Sequence, residues 1–236
     1  MEHTLKLLLK GPMQSWGDNS RYRTRSTGST PTKSGIVGLL AAAEGRRRTD
    51  PIEDLAALSL AVRVDQSGSL LRDYQTAQPW QKNPNDPAKL VTRYYLSDAA
   101  FLVGIESENL ELLEGLQEAL RNPAYPLFLG RRSCPAPANL VQGIVPAAAD
   151  VALLEEDEWF ASSAHRKVRS KKVELPVYRD ARPGEQGERR QDVPISFDPQ
   201  HRKYGWRTVV FAGSKAIDNS AFGRSHDPFM EAVMSV

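Results

Sequence analysis

Leu5, Leu7, Leu8 and Leu9 form a short apolar run closed by the breaker Gly11-Pro12. A run of this length is short for a helix, so it predicts a buried strand. Past a polar, arginine-bearing loop, Ile36, Val37, Leu39, Leu40 and Ala41 to Ala43 predict an apolar helix that ends near Gly45. Thr30, Thr32 or Ser34 can cap it. Pro51 opens a second short helix with Ile52, Leu55 and Leu58 at helical spacing. Leu60, Val62 and Val64 then alternate with Ala61 and Arg63, the period of a strand.

Residues 66–97 break this pattern, with Gly68, Pro79, Pro84 and Pro87 set among polar positions and one tryptophan, Trp80. Their flanks, Leu70 to Thr76 and Leu90 to Leu96, are strand-like, so the stretch predicts a protruding hairpin. Ala99 to Ile105 is another strand. Asn109 to Leu120 carries Leu110, Leu113, Leu116 and Leu120 at helical spacing, an amphipathic helix stopped by Arg121-Asn122-Pro123. A short apolar piece follows at Leu127 to Leu129. Without the hairpin the order is βαββαβ, an α+β, ferredoxin-like pattern also used by RNA-recognition modules.

This predicts a first unit over residues 1–146, with a hairpin at about 66–98, and a small β-rich region over 147–236. Leu140 to Val145, at the end of the first unit, is strand-like; in the second region Ala147 to Trp159 is rich in alanine and acids, and Val168 to Tyr178 and Tyr204 to Ala212 predict strands. Arg179 to Asp198 reads as a charged, unstructured loop because Pro183-Gly184 and Gly187 interrupt it. The tail from Ile217, with Phe222 and Phe229, is assigned no element.

Composition narrows the class without naming it. The single cysteine, Cys134, excludes an internal disulfide and a cysteine-built zinc cluster, and suits a reducing cytosol. With no apolar run of about 18 residues and no basic-then-apolar leader, the expectation is a cytoplasmic protein without a membrane span or signal peptide. Net charge is only +2, but it is unevenly distributed. Lys10 to Arg48 holds eight Lys/Arg against Asp18 and Glu44, Asp50 to Glu118 holds twelve acids against five bases, and His165 to Lys172 holds five bases and no acid. Such alternation can give one face to nucleic acid and another to water.

Two loops carry the candidate chemistry. In the first, the helix beginning near Lys33 lies in a locally positive field, which favours phosphate. Lys33-Ser34 resembles the end of a P-loop, but that motif needs glycine where Thr27 and Thr32 stand, so nucleotide hydrolysis is not supported. Trp16 is either a stacking platform or a core residue under the loop. The second loop, GRRSCPAP at 130–137, is positive and too rich in Pro and Gly for regular structure; a plain turn with its arginines paired to acids is the alternative. Tyr94 and Tyr95 point to opposite faces if their segment is a strand, so one of them belongs to the core. No His/Asp/Glu cluster has metal-ligand spacing, and no cofactor motif is present.

Six blocks, in order, carry a family resemblance: GPMQSWG at 11–17, PTKSGIVGLLAAAEG at 31–45, RVD at 63–65, LRDYQT at 71–76, RYYLSDAAF at 93–101 and YPLFLGRRSCP at 125–135. Together they resemble the CasD family, the crRNA 5′-handle-binding subunit of the type I-E CRISPR surveillance complex Cascade, in antiviral defence. The resemblance implies an RRM-like palm with a thumb hairpin and a role without catalysis. Its partners would be the crRNA 5′ handle, the large subunit CasA and the backbone subunit CasC, while CasE cuts the precursor. Matched by motif, the RNA-facing residues would be Gln14, Ser15, Trp16 and Gly17, then Lys33 and Ser34; Thr32, and Arg21 and Arg25 in the loop between these blocks, are further RNA-binding candidates. Arg93 and Tyr94 would lie at the thumb base, and Arg131, Arg132, Ser133 and Cys134 in the second loop. The rival is a metal-independent endoribonuclease of CRISPR repeat RNA. For it the local cluster is His165 with Arg166, Lys167 and Tyr178; the other histidines are His3, His201 and His226.

Overall fold

A computed structural model describes residues 1–17, 24–78 and 87–223. Arg21, Trp80, His226 and Phe229 lie outside them. The strands are β1 (His3–Lys10), β2 (Met13–Gln14), β3 (Thr24–Arg25), β4 (Ser59–Gln66), β5 (Ser69–Ala77), β6 (Lys89–Ser97), β7 (Ala100–Ser107), β8 (Val141–Val145), β9 (Lys172–Asp180), β10 (Glu188–Ser196) and β11 (Lys203–Asp218). The helices are α1 (Lys33–Ala43), α2 (Glu53–Ala57), α3 (Leu110–Arg121), α4 (Ala149–Glu155) and α5 (Ser163–Val168).

Seven strands form one antiparallel sheet in the order β10-β11-β9-β4-β7-β1-β8. β1 and β7 lie inside it and are covered on both faces, which is why their apolar residues run on instead of alternating. Leu5, Leu7, Leu9, Phe101, Val103 and Ile105 pack with α1 and α3, whereas Leu8 and Leu102 pack on the opposite face with Leu153 of α4. Thr32 caps α1 by accepting from the Gly35 amide, and Asn109 caps α3 by accepting from the Leu112 amide. β5 and β6 pair over their whole length as a hairpin, and β6 also pairs with β2 and β3.

Three expectations are corrected. Leu127 to Leu129 is not a strand: Phe128 makes one isolated bridge to Pro135, inside a segment too dense in Pro and Gly to extend a ladder. Val141–Val145 takes the place beside β1, with Thr4 opposite Val145. The charged stretch 179–198 is not unstructured either, because it contains β10. Its proline, Pro194, is tolerated at the sheet edge, where the register shifts on either side of it. Finally, Val168 ends α5 rather than opening a strand. The strands after residue 147 extend the first sheet through β9 against β4, with Val62 opposite Tyr178.

On the α4 face, Arg63 and Asp65 form an ion pair at 2.8 Å with both side chains fully buried. Arg63 also donates to the carbonyls of Leu153, Glu156 and Glu158, and Asp65 accepts from the Phe160 amide at 2.7 Å. The segment joining α4 to α5 is thereby fastened to β4.

Candidate nucleic-acid interface

Gly130 begins the second loop at φ +87°, a backbone region that favours glycine, and a Cβ there would lie 1.8 Å from the Ser15 carbonyl oxygen. Ser15 in turn donates its amide to the Leu129 carbonyl at 3.1 Å. The two positive loops therefore press against each other, backbone to backbone. Arg131 strengthens the junction: it donates to the carbonyls of Tyr94, Arg25 and Ser26 at 3.2, 3.3 and 3.4 Å, with its guanidinium 4.7 Å above the Tyr95 ring.

Beside this junction runs a groove of about 650 Å³, walled by the first loop, one side of α1, the turn after α1, the second loop and the start of β11. Among the described residues, seven arginines line it, Arg25, Arg46, Arg47, Arg48, Arg131, Arg132 and Arg202, and no acid does. Arg46 is neutralised by Asp54 and Glu44, whose carboxylates raise its already high pKa. The other six make no ion pair among the described residues. Tyr125, Phe128, Phe197 and Tyr204 add aromatic surface.

Of the residues expected from sequence, Ser15, Trp16, Gly17, Arg25, Thr32, Ser34, Arg131 and Arg132 line this groove. Gln14, Lys33, Arg93, Tyr94, Ser133 and Cys134 do not. Gln14 is a buried strut: its amide donates to the Leu9 and Ala99 carbonyls and its oxygen accepts from the Trp16 indole at 3.0 Å. Trp16 is 1 % exposed, so it is the core tryptophan and not a stacking platform. A Cβ at Gly35 would stand 2.8 Å from its ring, and glycine at that helix position lets α1 close over it. Tyr95 is the core member of its pair, and Tyr94 contributes its carbonyl to Arg131 and Ser15. Burial opposes ionisation of the Tyr95 phenol, but Ser133, Arg131 and Arg93 outweigh it and hold the phenol below its ordinary range. Cys134 is buried, which pushes its thiol up and leaves it unreactive.

Lys33 is the sharpest correction. Only 7 % exposed, it pairs with Asp180 at 3.2 Å, and its amide at the start of α1 is already taken by the Asp192 carboxylate at 2.8 Å. A protein carboxylate thus fills the anion position that sequence offered to phosphate. Arg207 completes the cluster, bidentate on Asp192 and also bonded to Asp180. Burial alone would raise the Asp192 carboxyl, but Arg207 and the Lys33 amide hold it below the usual carboxylate range. Because the folded pKa is lowered, this stabilisation is complete above the unfolded value of about 4 and is lost as pH falls through the folded one. Urea midpoints measured from pH 7 down to 2.5 are expected to fall less steeply for Asp192→Asn than for the wild type. Parallel curves would show that the carboxylate contributes no acid sensitivity.

Sequence reasoning missed the run Arg46 to Arg48, which it counted only as charge, and Phe197, Arg202 and Tyr204, which sit in or after a stretch it took for unstructured loop. Among the described residues, no His/Cys/Asp/Glu group could hold a metal and no helix is long and apolar enough to cross a membrane.

The family of CRISPR-associated protein (Cas5) matches residues 4–210. The chain belongs to this family. It is 36% identical over 165 residues to the CRISPR system Cascade subunit CasD of Escherichia coli (strain K12), covering 62% of this chain and 73% of that one. This Cas5 chain also matches a chain of a CRISPR RNA-guided surveillance complex with a TM-score of 0.76 at 26% identity, over 98% of both chains. A second solved structure, described as a Cas protein, matches with a TM-score of 0.66 at 36% identity, over 93% of this chain and 97% of that one.

Proposed function

We propose that the chain is a Cascade subunit that holds the 5′ handle of the CRISPR RNA in the arginine groove and does not cut it. The observation that carries this reading is the groove itself: among the described residues it holds six arginines outside any ion pair, four aromatics, half-buried or exposed, along its wall, and no acid. Single-stranded RNA is held by phosphate contacts together with bases stacked on aromatic or guanidinium planes, and this surface offers both. The strand order β4-β7-β1-β8, with α1 and α3 on one face, supports reading this part as a ferredoxin-like palm, and the β5–β6 hairpin as its thumb. CasA and CasC are the proposed protein neighbours, and the cytoplasm the proposed compartment.

The rival nuclease lacks a base in the groove, since none of the described histidines lines it. His165 sits elsewhere, accepting from Arg169 at 3.0 Å, and burial together with Arg169 lowers its pKa. The test is binding of labelled handle RNA to the full chain, with and without partner subunits, across a salt series. Log affinity is expected to fall by about 0.7 per phosphate contact against log salt, hence up to about 4 in total, with the RNA recovered intact. A salt-independent affinity would overturn the groove assignment. Specific cutting abolished by His165→Ala would establish the nuclease instead.

A further inference from the structure

The basic run His165 to Lys172 plays no part in the groove. β11 carries Tyr204 into the groove at one end and reaches Asp218, opposite Lys172, at the other, about 45 Å away along the strand at ~3.3 Å per residue. The turn bearing these cations is held in one shape. Buried Asn219 donates to the carbonyls of Arg166, Arg169 and Ser170 at 2.7, 3.3 and 3.1 Å, and its amide donates to the Lys171 carbonyl at 2.7 Å. Arg166 is the anchor, donating to the Ala161 carbonyl and lying 5.4 Å from the Trp159 ring centre.

Lys167, Arg169, Lys171 and Lys172, in contrast, are exposed, and none of them makes an ion pair among the described residues. Asp218 faces Lys172 across the ladder without closing on it, and nearby Asp157 is engaged by Lys215. Arg169 donates to neighbouring His165 at 3.0 Å, but a turn fixed by a buried side chain while four exposed cations meet no carboxylate among the described residues is pre-organised for an external polyanion. Among the described residues one exposed aromatic, Phe222, stands at the turn, with the Lys171 ammonium 5.9 Å from its ring centre, while Trp159 beside Arg166 is buried; four aromatics line the groove. That balance favours backbone phosphates over unstacked bases.

We propose that this turn is a second nucleic-acid surface, which binds the sugar–phosphate backbone of double-stranded DNA without reading its sequence. It works independently of the groove. The test is anisotropy of a labelled random-sequence duplex with the full chain over a salt series, comparing the wild type, Lys167→Gln/Lys171→Gln/Lys172→Gln and the corresponding triple arginine variant. The glutamine variant is expected to flatten the log–log slope by about 2 to 3, at ~0.9 per contact, and the arginine variant to keep it. Handle-RNA affinity should stay unchanged in both. An unchanged duplex slope would overturn the proposal, as would tighter binding of single-stranded DNA through the same lysines. Weakened association with a partner protein at unchanged duplex affinity would also overturn it. Arg47→Gln/Arg48→Gln/Arg132→Gln separates the two readings: it should lose handle RNA and keep the duplex, and a wild type that ignores handle RNA but binds duplex through the turn would leave this surface standing alone.

Discussion

Arg63→Met is expected to lower stability by about 3–5 kcal/mol, the range for removing one partner of a buried ion pair. At about 2–4 °C per kcal/mol for a chain of this size, the melting temperature should drop by ~6–20 °C. Asp65 would remain buried with no counter-charge, and three carbonyls, those of Leu153, Glu156 and Glu158, would lose their donor. The second half of the cycle separates these losses. Arg63→Met/Asp65→Leu removes the stranded charge and should recover part of the stability, because apolar replacements of buried pairs are often neutral. Recovery should stay incomplete, since the three carbonyls and the Phe160 amide still lack partners. Urea midpoints for both variants decide the matter. A loss below about 1 kcal/mol in Arg63→Met would mean that the α4 face relaxes around the site.

The second large effect concerns binding. Arg47→Gln/Arg48→Gln/Arg132→Gln removes three exposed groove arginines that hold no ion pair, so the fold should persist. At ~0.7 per contact the salt slope for handle RNA should flatten by about 2, and affinity at 0.15 M salt should fall about 50-fold. Lys33→Ala is the informative contrast. Its ammonium is engaged by Asp180 inside the protein, so it should reduce stability and leave the slope alone. The reverse outcome, a flattened slope in Lys33→Ala and none in the arginine variant, would move the RNA to the Lys33 side of α1.

Periodicity reached what neighbouring residues decide. The leucine run of β1, the capped helices α1 and α3 and the hairpin β5–β6 could be read because their signals repeat within ten to twenty residues. The six-block resemblance likewise reached the family, and the two loops it singled out do meet at Ser15 and Gly130. Neither could tell which of the charges would be paired. Lys33 and Arg132 looked alike as cations beside a glycine-bearing loop, yet one is sealed by Asp180 and Asp192, which lie about 150 residues away, and the other is exposed on the groove.

By itself, then, the sequence determined the family, the order of the main elements through α3 and the presence of surplus arginine around the first helix. Tertiary structure alone decided which cations face solvent. β10 and β11 fold back beside α1, bringing Asp192 and Arg207 to Lys33 and Phe197, Arg202 and Tyr204 to the groove. A charge is neutralised by whatever lies within a few ångströms of it, and over so long a separation in sequence only the packing of the sheet sets that distance.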